Sequence, residues 1–350
     1  MSGDSPRFPD VYAELVAGSP SPATVRRVFD AIFAGEWTPT QIAGFVSALR
    51  LRGETPEIVV AAAEALRSAM VPVAHDLPRV LDTCGTGGDG FGTLNLSTGA
   101  AIIAAAAGVP VAKHGNRAQS SRTGSADVLE ALGIPLDLSA TDSAQVLRDA
   151  GIVFMLAPTH HPAMRHAAQA RRELGVRTIF NLLGPLANPA RATHQLIGAP
   201  EESIRHVLAE ALKALGTVRA WIVRGAEGLD EISPAGETRV SVVTASGITE
   251  HVVAPEDFGL TRTTMADVRG GEAKENARVL EQVLSGEPHP SSTAFIINAA
   301  AALIVADDLA PRAAADRVRE IVAAGQAAKL LSRWREIAGA RRPRGSTLVP

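Results

Sequence analysis

Two hydrophobic rhythms divide the chain. Over residues 11–70 apolar positions recur only at helical spacing, as in Val25, Val28, Phe29 and Ile32, then Ile42, Phe45, Val46 and Leu49. Thr38-Pro39 reads as an N-cap followed by the first helical position, with Gln41 placed to close a capping box and Gly53 to stop the helix. Thr55-Pro56 opens a further helix that runs to Met70. Helices this short are not stable singly, so the region is expected to form a small bundle, against itself or a second copy of the chain.

From residue 79 the pattern changes to short apolar runs alternating with amphipathic ones. Strands are predicted at 80–81, 109–112, 152–157, 195–198 and 220–224. Helices are predicted at 97–107, 125–132, 142–150, 162–174 and 201–215. This alternation predicts a mostly parallel sheet with helices on both faces. Segments 239–244 and 248–253, joined through Gly247, predict a hairpin. The end reads as three helices, 271–285, 291–306 and 311–338. The fold class is therefore α/β: a small all-helical N-terminal domain (1–77) and a large domain with a mostly parallel central sheet flanked by helices (78–338). Residues 339–350 read as a flexible basic tail. Ligands in such sheets bind at the carboxyl ends of strands, so the loops after 81, 112, 157 and 224 are expected to share one crevice.

Composition narrows the classes. Of 350 residues, 46% are hydrophobic and 20% charged, enough for a large core and against wholesale disorder. A net charge of −3 lacks the basic excess of a nucleic-acid binder, so no nucleic-acid partner is expected. With Cys84 as the single cysteine, no intrachain disulfide or zinc cluster can form, which fits a reducing cytoplasm. No apolar run reaches the roughly 18 residues of a membrane span. Asp4, Pro6, Pro9 and Asp10 stand where a signal peptide would be apolar.

The chemistry gathers after the strands. Five glycines lie between Gly85 and Gly92, in Gly85-Thr-Gly-Gly-Asp-Gly90 and beyond. Such a turn lets backbone N–H groups approach an anion. The dinucleotide reading fails, because the next acid after Asp89 is Asp127, too far on to hold a ribose, and the helix starts late. A Walker pattern fails for want of a Lys-Ser/Thr pair. The loop therefore reads as a phosphate or pyrophosphate cradle of another kind. Asn95, Ser97 and Thr98 stand at a helix start; one is expected to cap it, leaving hydroxyls for phosphate or Mg²⁺. Lys113-His-Gly-Asn-Arg117, with Ser120-Ser121 and Ser125 following, is a cationic, hydroxyl-rich loop suited to a polyanion. His114 could orient backbone or meet a substrate; the residues leave both open. Asp230-Glu231 place two carboxylates side by side beyond a strand, which repel unless a cation lies between them, and Mg²⁺ answers that need. Arg171-Arg172 offer one arginine for a substrate carboxylate, and spacing does not choose between them.

These stretches resemble one family, the anthranilate phosphoribosyltransferases. The resemblance covers nearly the whole chain and also includes Gly124-Ser-Ala-Asp127, His161-Pro-Ala-Met164, Asn181-Leu-Leu-Gly-Pro-Leu186 and Leu229-Asp-Glu-Ile-Ser233. It implies transfer of the phosphoribosyl group of 5-phosphoribosyl 1-pyrophosphate to the amine of anthranilate, releasing pyrophosphate, with Mg²⁺, in tryptophan biosynthesis. It implies that Gly85, Gly88, Asp89, Thr93, Asn95, Ser97, Thr98, Lys113, Ser121 and Ser125 hold the phosphoribosyl donor. Gly85, Asn116 and Arg171, the first of the arginine pair, would meet anthranilate; Ser97, Asp230 and Glu231 would bind Mg²⁺. Lys113, Asp230 and Glu231 would act electrostatically, with no assigned base. It also implies a homodimer formed through the helical domain, which residues 162–190 would complete. Two departures border the site without removing a polar group: Leu94 stands where phenylalanine is usual, and Gln119 where a smaller residue is common. Rival expectations on the same fold are a pyrimidine nucleoside phosphorylase-like enzyme and a non-enzymatic nucleic-acid-binding relative.

Overall fold

The computed structural model describes residues 5–118 and 122–342. Four helices open the chain: α1 (Phe8–Ala17), α2 (Pro22–Ala34), α3 (Pro39–Arg52) and α4 (Pro56–Ala69). Each begins with proline at its first or second position, where the missing N–H is no loss. The Thr38–Gln41 capping box forms: the Thr38 N–H donates to Gln41 Oε1 at 2.9 Å, and the Gln41 N–H to Thr38 Oγ1 at 3.3 Å.

The sheet follows. Its strands are β1 (Leu81–Gly85), β2 (Val111–Gly115), β3 (Ile152–Leu156), β4 (His194–Gly198), β5 (Arg219–Gly225), β6 (Thr238–Thr244) and β7 (Gly247–Val253). Their order across the sheet is β3-β2-β1-β4-β5-β6-β7. The first five run parallel, and the β6–β7 hairpin adds two antiparallel strands at one edge. The connections change direction at β1 and β4, so the crevice for a ligand falls above their carboxyl ends. Intervening helices are α5 (Leu96–Ala106), α6 (Ser125–Ala131), α7 (Ala140–Ala150), α8 (Ala157–His160), α9 (Ala168–Leu174), α10 (Phe180–Leu186) and α11 (Glu202–Ala214). The end comprises α12 (Ala273–Leu284), α13 (Ser292–Asp307), α14 (Pro311–Ala323) and α15 (Gln326–Gly339).

Two apolar clusters hold these layers. One joins residues of all seven strands to α5, α12, α13, α14 and α15. At its centre α5 lies against α13, both rich in alanine; a Cβ added at Gly99 would fall 2.4 Å from the Phe295 ring. Side chains thus pack directly on the α5 backbone at Gly99, which a larger residue there would prevent. The second cluster joins α1–α4 to α9, α10 and α11. Phe29 of α2 and Phe180 of α10 meet edge to face with centroids 5.5 Å apart. Residues 162–190 therefore share the bundle's core.

Several expectations change in detail. The segment 162–174 begins as a 3-10 turn, Pro162–Ala167, before α9, and α10 follows as a separate helix. The span 311–338 is two helices, because Gly325 takes φ +66° between α14 and α15. Strand β2 starts two residues later than predicted and carries Lys113 and His114 inside it instead of in a loop. The basic tail begins later than 339: helix α15 runs to Gly339, and Arg341 pairs with Asp149 at 2.8 Å. The rest of the tail lies outside the described residues. No single described helix is long and apolar enough to cross a membrane; α13 and α14 together pass by composition but bend by 116°, and α13 is core.

Candidate active site

The site begins with a gap in the sheet. Parallel ladders β1–β4 and β2–β3 each carry five register pairs, whereas β1–β2 carries one, Leu81↔Val111. Beyond that pair, side chains take over the work of the ladder. The His114 N–H donates to Asp82 Oδ1 at 3.1 Å. Asn188 Nδ2 donates to Asp82 Oδ2 and to the Ala112 carbonyl, both at 2.8 Å. Asp82 is wholly buried, and backbone groups left unpaired there would be costly, which explains why this bridge is polar.

Lys113 crosses the same gap. Its Nζ donates to the Thr83 carbonyl of β1 and to Ser97 Oγ at 3.2 Å. The residue is 3% exposed, so burial pulls its ammonium below the ordinary value, while Asp82 and Glu231 oppose that shift. Thr83 Oγ1 in turn donates to the Ser97 carbonyl at 2.9 Å, fixing the start of α5.

Asp230 and Glu231 arrive from the loop after β5. The Ser97 N–H donates to Glu231 Oε1 at 3.2 Å. Asp230 sits above the carboxyl ends of β1 and β4. Gly85 and Gly198 are register partners there. A Cβ at Gly198 would lie 1.7 Å from the Asp230 carbonyl oxygen, and one at Gly85 would lie 3.2 Å from Asp230 Oδ2. Asn298 of α13 clamps the backbone just past the acidic pair: its Oδ1 accepts from the Ile232 N–H at 2.9 Å and its Nδ2 donates to the Ile232 carbonyl at 3.1 Å. Asp89 completes the group, Oδ2 accepting from the Asp230 N–H at 3.4 Å. Burial, then the neighbouring Asp89 and Glu231 charges, push the Asp230 carboxyl well above its usual range. Burial chiefly raises Glu231 as well, to about 7, against the pull of Lys113. A divalent cation beside Asp230 and Glu231 would relieve their repulsion. Among the described residues no group of three or more His, Cys, Asp and Glu side chains encloses a metal, so an ion here would share oxygen ligands with substrate, as suits Mg²⁺.

The structure thus brings together Gly85, Asp89, Ser97, Lys113, Asp230 and Glu231. Other predicted residues have different company. Asn95 precedes α5, but neither it, Ser97 nor Thr98 gives the side-chain cap that was expected. The Asn95 amide instead donates to the Thr123 carbonyl at 3.3 Å and accepts from Asn276 at 3.0 Å. Thr98 is buried with its hydroxyl unpartnered. Thr93 forms an isolated bridge with Arg269. Ser125 opens α6, its hydroxyl 3.4 Å from the Asn116 carbonyl, and the Asn116 side chain accepts from the Arg117 N–H at 2.8 Å. Gly88 lies under Arg177, whose Nη1 an added Cβ would meet at 2.2 Å. Arg171 stands apart from the carboxylate–lysine group, its guanidinium 5.6 Å from the centroid of Phe180. Ser121 and Gln119 lie outside the described residues. Asp82, Asn188, Gly198 and Asn298 escaped the reading of the sequence. Gly198 and Asn298 carry no local signal; Asp82, a charge inside an apolar strand, did.

His114 lies on the wall toward α10. Its Nδ1 is 3.0 Å from the Gly184 carbonyl, its Nε2 is buried without a partner, and its ring meets that of His161 at 4.9 Å. Burial, then the neighbouring His161, lower it to about 3, and burial lowers His161 to about 4. Both rings are neutral at ordinary pH.

Comparison with known proteins decides the family. The glycosyl transferase family α/β domain matches residues 77–328, and that family's helical bundle domain matches residues 15–70. The anthranilate phosphoribosyltransferase of Symbiobacterium thermophilum is 47% identical over 306 residues, 87% of this chain and 90% of that one. The chain belongs to the anthranilate phosphoribosyltransferase family. Among solved structures, the anthranilate phosphoribosyltransferase of Thermus thermophilus superposes with a TM-score of 0.89 at 41% identity, covering 94% of this chain and 99% of that one. The Saccharomyces cerevisiae enzyme in complex with PRPP and Mg gives 0.88 at 28% identity, covering 95% and 98%. These likenesses favour the transferase over the phosphorylase and the nucleic-acid binder, and support the helical-bundle-plus-α/β architecture.

Two outcomes follow from the site. Gly198→Ala should displace Asp230 and lower catalytic efficiency by about a hundredfold or more, the scale of misplacing a catalytic group by an ångström; a crystal structure with Asp230 unmoved would count against this. The depressed histidines set a pH dependence with a definite sign. Below the unfolded value of 6.5 the unfolded chain takes up protons that the folded state refuses, so stability is present above that value and lost as pH falls toward 4 and then 3. Between about pH 7.5 and 5 each should cost about 2 kcal/mol. Urea unfolding at both values should show His114→Phe reducing that loss; an unreduced loss would remove His114 from the account.

Proposed function

We propose that the protein transfers the phosphoribosyl group of 5-phosphoribosyl 1-pyrophosphate to the amine of anthranilate, giving N-(5-phosphoribosyl)anthranilate and pyrophosphate in tryptophan biosynthesis. The observation that carries the reading is the meeting of Lys113, Ser97, Asp230 and Glu231 beside the glycine loop, within a chain of this family. Its glycine backbone from Gly85 to Gly92 accepts the phosphorylated donor, and Asp89, Thr93, Asn95, Thr98, Ser121 and Ser125 are assigned to the same ligand by the family motifs. Lys113 places one positive charge where the pyrophosphate's negative charge develops, a stabilisation that is strong in a buried setting. Asp230, Glu231 and Ser97 would hold Mg²⁺, which neutralises charge on a departing pyrophosphate when bound. As that group leaves, positive charge grows on the ribose, as in other glycosyl transfers. Arg171 and Asn116, with Gly85, are assigned to anthranilate, the arginine to its carboxylate. An aromatic amine becomes acidic once its nitrogen attacks, so positioning suffices without a dedicated strong base.

The domain division that supports this reading is 1–77 joined by 162–190 as the helical domain, and 78–338 as the donor-binding domain. The enzyme is placed in the cytoplasm, in keeping with its single cysteine. A homodimer through the helical domain fits the exposure of Leu51 (89%), Val16 and Tyr12 on α3 and α1.

Anthranilate fluorescence should disappear only when phosphoribosyl pyrophosphate and Mg²⁺ are both supplied; loss without the donor, or none with it, overturns the activity. In the same assay Asp230→Asn and Glu231→Gln should each reduce turnover by about a hundredfold or more while the fold survives. Unchanged rates across a Mg²⁺ titration in both variants would sink the metal assignment. Light scattering after size exclusion should give twice the chain mass for the native protein, and Leu51→Glu should shift it toward one chain. An unaltered dimer in that variant would move the interface elsewhere.

A further inference from the structure

The glycine loop is held from the far side of the crevice. Arg177 lies in the short segment between α9 and α10, whose neighbours Ile179 and Phe180 belong to the bundle's apolar cluster. Its Nη1 donates to the Gly87 carbonyl, and the same nitrogen occupies the space a Cβ at Gly88 would need. Gly87 and Gly88 both take positive φ, +64° and +86°, so this carbonyl is turned out by a conformation that other residues resist. The second nitrogen, Nη2, is buried with no partner.

Glu54 brings an opposite charge within electrostatic reach. Glu54, just past the end of α3, has a side chain only 4% exposed. One of its oxygens accepts from Arg50 at 3.1 Å, and the other, Oε1, is buried without a partner. Glu54 and Arg177 feel each other's charge, together with Arg50, Glu201 and Asp230. The α9–α10 segment and the glycine loop thus meet at one cation, with the bundle's Glu54 acting on it through its field. An arginine fork can serve two acceptors at once, which a lysine cannot do with the same geometry.

We propose that Arg177 is a positioning residue that pins the Gly87–Gly88 turn to the helical side of the molecule, with Glu54 as its counter-charge, and so sets the glycine loop for the phosphorylated donor. This rests on the reading that the loop takes phosphoribosyl pyrophosphate. Arg177 touches backbone and not the reacting atoms, so its effect falls on donor capture. Its hydrogen bond goes to the glycine loop and not to Arg171, the residue assigned to the second substrate, so that substrate's binding should change far less.

The test uses the full chain, with Arg177→Ala, Arg177→Lys and Glu54→Gln. Arg177→Ala should raise KM for phosphoribosyl pyrophosphate about tenfold, the scale of losing a hydrogen bond from a charged group, with kcat and KM for anthranilate within about twofold. Arg177→Lys should recover part of that loss, and Glu54→Gln should move the same constant in the same direction by less. In ligand-free protein, amide hydrogen exchange over residues 85–92 should quicken in Arg177→Ala without a fall in melting temperature. Equal rises in both KM values, unchanged exchange in the loop, or a lower melting temperature with no local change would each overturn the proposal. If the native protein shows no transfer at all, the functional reading fails, and the exchange measurement still decides whether Arg177 holds the loop.

Discussion

An ammonium taken out of water must be met by acceptors and countercharge, and the site is built around that requirement at Lys113. Its nitrogen is shared between the Thr83 carbonyl and the Ser97 hydroxyl. The first acceptor is free because β1 and β2 part after a single register pair; in a continuous ladder that carbonyl would be engaged across the sheet. The parting is in turn tolerable because Asp82 and Asn188 satisfy the backbone groups it exposes. Remove the gap and the lysine has no place; remove the polar bridge and the gap has unpaired backbone in a dry interior.

The same economy shapes the acidic half. Asp230 reaches the sheet where two glycines face each other at the ends of β1 and β4, and Asn298 holds Ile232, just past the acidic pair, by both its backbone groups. These supports hold three mutually repelling carboxyls at close range. Burial and crowding raise the Asp230 and Glu231 carboxyls so that they hold protons more readily, and a bound cation would compete with those protons.

Much of this could be read from the chain. Periodicity separated helices from alternating strands because apolar spacing differs between the two, and Thr38 with Gln41 marked a helix start by chemistry alone. The glycine loop, Lys113 and Asp230-Glu231 stood out because their residue types are costly to keep anywhere without use. Boundaries were harder: Lys113 and His114 looked like loop residues because polarity suggests solvent, yet both are buried in β2. Gly198 and Asn298 were invisible for another reason. Their importance lies in partners about 32 and 66 residues away in sequence, Asp230 and Ile232, and no local pattern encodes such a distance. Gly325 was likewise legible only as one glycine in a long helical run, where it could be tolerated or could break the helix.

The alanine-rich contact of α5 with α13 has a bearing on how sharply the site is defined. Alanine has no rotamers to lose on folding or to exchange afterwards. The start of α5, which delivers Ser97 to both Lys113 and Glu231, therefore rests on an alanine-rich surface with the Gly99 backbone seated against the Phe295 ring. Rotamer hopping in a core of longer side chains would blur the location of that hydroxyl; here the ring against Gly99 is that of Phe295, itself fully buried. The helix works as a stiff shim, and thermal disorder in the surrounding core is kept from reaching the atoms that meet the ligand.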